Sequence, residues 1–102
     1  MYKTLLHVMF GCDDGSGNVY RQDVFNSLQL PVAPAIGFRF CPDSRRMNQC
    51  DEWEVEEVIY DINAATFIAV ARCMDCEEPV EVDAYLKAFV ACGWKTSNPL
   101  GY

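Results

Sequence analysis

The chain has 102 residues, of which 51% are hydrophobic, 13% aromatic and 23% charged, and its 15 carboxylates against 8 lysines and arginines leave a net charge of −7. That length supports one domain around one core, and the even composition excludes collagen-like, coiled-coil and wholly disordered chains. The acidic balance argues against direct nucleic-acid binding, because phosphate contacts are made by Lys and Arg.

Residues 3–10 alternate Leu6, Val8 and Phe10 against Leu5, His7 and Met9. Both sets are largely apolar, the pattern of a strand covered on two sides. His7 interrupts the run and Gly11-Cys12-Asp13-Asp14 has no small-x-small cleavage pattern, so the segment reads as a strand and not as a leader. The least polar stretch, 64–71, is too short to cross a bilayer. A soluble, cytoplasmic protein is the expectation.

Asp13-Asp14-Gly15-Ser16-Gly17-Asn18 is turn-forming, since Gly and Asn reach positive φ cheaply. A second strand is expected within 19–30, strongest over 24–30, where Pro31 stops it by lacking the amide hydrogen that ladder pairing needs. Residues 31–37 form a stiff connector, 38–41 a short strand and 42–51 a polar loop. The clearest strands are 53–60 and 67–74, rich in β-branched and aromatic residues and joined by turn formers at 61–66. In the first of these, Val58 and Tyr60 share a face with Glu54 and Glu56, whereas Val55 and Ile59 share the other with Glu57. A bulge near Glu56-Glu57 would bring the apolar side chains to one side.

One helix is expected over 83–92, with Asp83 as N-cap and Val82, Leu86, Phe89 and Val90 as its apolar stripe. Gly93 suits the left-handed position after the last turn, with Trp94 packing back over it. The tail, 95–102, reads as loosely ordered. The element order gives a single α+β domain: an antiparallel sheet of about five strands, able to close into a barrel, with one C-terminal helix packed on it.

Most motifs fail on spacing. Read as a calcium loop from Asp13, the third and fifth positions are glycines and the twelfth is Val24, and the same stretch lacks the third glycine of a nucleotide-binding loop. Pro31-Val32-Ala33-Pro34 has no flanking base and reads as a rigid connector. No G-x-S-x-G or H-E-x-x-H occurs to support a hydrolase.

The six cysteines, with no export signal beside them, are expected to be reduced, buried and structural. Cys73-Met74-Asp75-Cys76 is a CxxC, but Asp75, Glu77 and Glu78 would raise its thiol pKa values, against thioredoxin-type work. As a zinc half-site, Cys73 and Cys76 would need Cys41 and Cys50 as partners, which makes a small zinc (Zn) domain with four cysteine ligands one alternative. A thiol enzyme pairing Cys12 or Cys73 with the single histidine, His7, is a further one.

The strongest signal is charge. Between Asp51 and Asp83 there are 11 carboxylates and one base, Arg72, so this window carries −10 while the rest of the chain carries +3. Glu52, Glu54 and Glu56 alternate and should project from one face of an extended strand. The expectation is therefore a non-catalytic, acidic protein-interaction module with no cofactor. Its partner would be a basic protein surface, including the nucleic-acid-binding groove that an acidic inhibitor covers by mimicking phosphates. The expected contact residues are Glu52, Trp53, Glu54, Glu56, Glu57, Tyr60, Asp61, Asp75, Glu77 and Glu78, with Trp53 and Tyr60 as aromatic anchors. An exposed strand edge would also offer a route to a homodimer.

Overall fold

A computed structural model of the chain describes residues 1–13, 15–42 and 52–101. Among these the elements run β1 (Tyr2–Asp13), β2 (Val19–Leu30), β3 (Arg39–Phe40), β4 (Trp53–Glu54), β5 (Glu57–Asp61), β6 (Thr66–Cys76) and α1 (Pro79–Ala91). The α+β class is as expected. The sheet differs from expectation in two ways.

First, it is mixed. Four strands lie in the order β2-β1-β6-β5, and β1 pairs parallel with β6 while β2 and β5 pair antiparallel with their neighbours. Parallel neighbours need cover on both faces, and both central strands have the apolar content to accept it. Second, it is open. β2 and β5 are edges, and the short strands β3 and β4 form a separate two-stranded ribbon instead of extending or closing the sheet.

One face carries the larger core. Leu6, Val8, Phe10 and Cys12 of β1 meet Val24 of β2 and Ala69, Ala71 and Cys76 of β6, under Trp53, Val55, Val82, Phe89 and Trp94. Phe10, fully buried, stacks on Phe89 at 5.6 Å between ring centroids, with Tyr85 at 5.7 Å and Trp53 at 6.5 Å. The opposite face has a smaller cluster of Leu5, Phe25, Ile68 and Val70, against which Met9 and Leu100 pack. The segment after α1 reaches this second face: Lys95 exchanges two backbone hydrogen bonds with Phe25, at 2.8 and 2.9 Å, on the outer edge of β2.

The helix begins at Pro79, four residues before the expected start. Proline fits the first helical position because its missing N–H would be unsatisfied there in any case. The N-cap is Glu78 with no side-chain bond of its own; instead Glu81, in the first turn, accepts the Glu77 amide at 2.9 Å. Asp83 is thus inside the helix and does not cap it. Val82 and Phe89 are buried and Tyr85 and Leu86 partly so, whereas Val90, one step round the helix from Phe89, stays exposed.

The helix ends as expected. Gly93 has φ +92°, and the Trp94 and Gly93 amides donate to the Phe89 and Val90 carbonyls at 3.1 and 3.0 Å. This pair of bonds satisfies carbonyls that would otherwise be orphaned and turns Trp94 back into the core.

Two substitutions test this arrangement by urea unfolding. Phe10→Ala should cost ~3–5 kcal/mol, because it removes the ring between helix and sheet and the site cannot collapse fully. Gly93→Ala should cost ~1–2 kcal/mol from the left-handed backbone alone, with the fold retained.

Candidate functional site

The first acidic stretch, 52–57, is shaped by a phase change between β4 and β5. Trp53 and Val55 are buried while Glu52, Glu54 and Glu56 are exposed, so these three carboxylates point away from the core. The alternation then slips. The Glu56 amide donates to the Val70 carbonyl at 2.8 Å and Glu57 pairs with the same residue, so two residues oppose one. This is the bulge that the clash of faces called for, and it returns Val58 to the helix-covered core after Val55.

Arginines divide the carboxylates. Arg72, on β6, donates to Glu57 at 2.7 Å and lies 3.5 Å from Glu56, and these two glutamates hold its guanidinium above the ordinary value, the Glu57 hydrogen bond being the larger cause. Arg39 stands more loosely, 3.6 Å from Glu52 and 4.0 Å from Glu54, in an exposed setting. Exposed pairs of this kind contribute about 0–1 kcal/mol each, but they do reduce the net field.

Asp61 lies at the far end of β5, where its carboxylate accepts the Ala64 amide at 3.0 Å and shapes the turn into β6. Asp75, Glu77 and Glu78 are exposed, and none of their carboxylates has an ion pair among the described residues. Asp83 accepts a hydrogen bond from the Tyr20 hydroxyl, tying the helix to β2.

The expected aromatic anchors separate. Trp53 is a core residue at 6% exposure and offers a partner nothing. Tyr60 is half exposed on the β5 edge and leans edge-on against Phe67 at 4.7 Å.

The cysteines also divide. Cys12, Cys73, Cys76 and Cys92 are thiols, as expected, whereas Cys41 is disulfide-bonded. A disulfide sulfur is not a thiolate and cannot ligate zinc as one, so Cys41 in this state is lost to a four-cysteine site with Cys73 and Cys76. Cys50 lies outside the described residues. Among the described residues no three His, Cys, Asp or Glu side chains are arranged to hold a metal ion. Nor is a Cys–His pair assembled. His7 stacks on Phe25 at 4.4 Å on the second face, while Cys12 and Cys73 belong to the core on the first.

His7 takes part in a polar group that the sequence does not reveal. Its Nε2 lies 2.9 Å from Asp23 Oδ2, and Arg21 forks onto both oxygens of Asp23 at 2.8 Å. The Arg21 hydrogen bond is the main reason the Asp23 carboxyl sits below its usual range; partial burial opposes this, and the His7 bond adds to the lowering. An ionised carboxylate has only acceptors, so His7 donates. The one signal in the sequence is loop length. A five-residue connection between β1 and β2 sets the register that pairs His7 with Phe25, which leaves Asp23 diagonally beside it.

No family model, curated protein or solved structure matches the chain. No relative therefore lends a function, and a functional reading stands on the chain's own geometry.

The Asp23 group makes a pH prediction. Because its folded-state pKa is lowered, its contribution to stability is fully present above the unfolded value of about 3.9 and disappears as pH falls through the folded value. In urea unfolding followed from pH 7 to pH 2, Asp23→Asn should lose the part of the wild-type decline that falls below about pH 4. Parallel curves for the two proteins would show that Asp23 is not the group titrating.

Proposed function

We propose that this protein is a non-catalytic interaction module that presents an acidic surface to a basic partner, with Asp75, Glu77, Glu78 and Glu81 at its centre. The observation that carries the reading is the uneven neutralisation of the charge. Arg72 and Arg39 stand against the carboxylates of the 52–57 stretch, whereas those between the end of β6 and the first turn of α1 are exposed without an ion pair among the described residues. Like charges left together repel and cost stability, and a cationic partner relieves that cost. Antiparallel pairing of β5 with β6 runs both acidic stretches away from the 61–66 turn, which supports treating them as parts of one surface. Glu52 and Glu54, loosely held by Arg39, are available to widen the surface.

A basic nucleic-acid-binding groove is the partner surface that suits this charge, the carboxylates standing where phosphates would. Trp53, buried in the core, is no anchor; of the two expected anchors Tyr60 alone is exposed. A homodimer through β5 is not part of the reading: two-fold antiparallel pairing about Ile59 would set Glu57 against Asp61, and like charges directly opposite destabilise a ladder.

The test uses a fluorescent lysine- and arginine-rich peptide as a stand-in for the basic surface, with anisotropy read across a salt series. Binding should weaken steeply as salt rises. Reversing Asp75, Glu77 and Glu78 together to Lys should abolish it, while reversing Glu56 and Glu57, which Arg72 already occupies, should reduce it far less. Salt-insensitive binding, or equal loss from both sets, overturns the proposal.

A further inference from the structure

A second irregularity, in β6, brings cysteines together. In an unbroken strand Cys73 and Cys76 would face opposite sides of the sheet, because they are three residues apart. Here the register against β1 shifts by one: Phe10 pairs with Cys73, but Cys12 pairs with Cys76. The extra residue turns both thiols of the CxxC toward the helix-covered core, where Cys12 also lies. Cys12 and Cys76 are buried, whereas Cys73 is only partly so. Cys73 is close enough to Cys76 to influence its thiol.

We propose that Cys73 and Cys76 are a peroxide-sensitive thiol pair that closes to an intramolecular disulfide. Cys73 is the entry thiol, being the one of the three that solvent reaches best. Its sulfur attacks one oxygen of hydrogen peroxide; the S–O bond forms as the O–O bond breaks, and the other oxygen leaves as water with the thiol proton. Cys76 then attacks the resulting sulfenic acid. The S–S bond forms as the S–O bond breaks, and the hydroxyl leaves as a second water with the Cys76 proton. Two thiols lose two electrons in all, and one peroxide gains them.

The surroundings favour a sensor over a catalyst. Burial pushes the Cys76 thiol up, and the neighbouring Cys73, Glu81 and Cys12 push it further. A thiol held protonated attacks slowly, which suits a single resolving event and not rapid turnover. Closure would bind together the strand end that carries Asp75 and leads into α1.

The test treats the wild-type chain with hydrogen peroxide, alkylates the remaining thiols and maps the tryptic peptide that follows Arg72. The expected product has Cys73 and Cys76 joined, with neither alkylated. Cys73→Ser should leave Cys76 fully alkylated after peroxide, and Cys12→Ser should still form the bond. In Cys76→Ser, a sulfenic-acid trap such as dimedone should label Cys73. Three outcomes overturn the proposal: Cys76 joined to Cys12, both thiols alkylated as fully after peroxide as before it, or Cys73 driven to sulfinic acid while Cys76 remains a thiol in the wild type.

Discussion

Parallel pairing of β1 with β6 places two apolar strands side by side in the middle of the sheet, and each then has two faces to keep from water. The rest of the molecule is arranged to meet that need. The helix, with the 53–55 segment beside it, covers the face of Leu6, Val8 and Phe10, where the small side chains of Ala69 and Ala71 leave room for Trp53 and Phe89. The chain after the helix returns past the edge of β2, and Leu100 packs on the face of Leu5 and Phe25. The left-handed turn at Gly93 makes this return possible, because it reverses the chain immediately after the last helical turn.

Two departures from regular strand geometry place the groups that carry chemistry. The bulge at Glu56 and Glu57 keeps Val55 and Val58 on one face and delivers both glutamates to Arg72. The register shift in β6 turns Cys73 and Cys76 the same way. Each inserts one residue into a ladder, and each reverses the facing of everything beyond it, because side chains alternate with a period of two. Asp75 and the two cysteines of the CxxC thus lie at the same end of β6.

Much of the fold was legible because short-range rules governed it. The extent of β2, the stop at Pro31, the bulge near Glu56 and the helix ending at Gly93 all follow from residue chemistry within a few positions, whereas β1 runs on to Asp13, three residues past its expected end. The helix start was misplaced because Asp83 and Pro79 both carry N-terminal signals, and Pro79, together with Glu81 reaching back to the Glu77 amide, prevails. The direction of β6 beside β1 could not be read in the same way. An apolar strand pairs either way, and only the path of the intervening chain selects one.

The candidate site divides along the same line. The amino-acid sequence by itself determined that the charge is negative, that it is concentrated between residues 51 and 83, and that Glu52, Glu54 and Glu56 leave one side of a strand. Tertiary structure decided which carboxylates an arginine reaches, that Trp53 belongs to the core, and that His7 meets Asp23 while the thiols lie across the sheet. The physical reason is range. Composition and alternation are local properties of the chain, whereas a salt bridge, a buried ring or a thiol pair depends on the register between strands far apart in sequence, where a shift of one residue exchanges one face for the other.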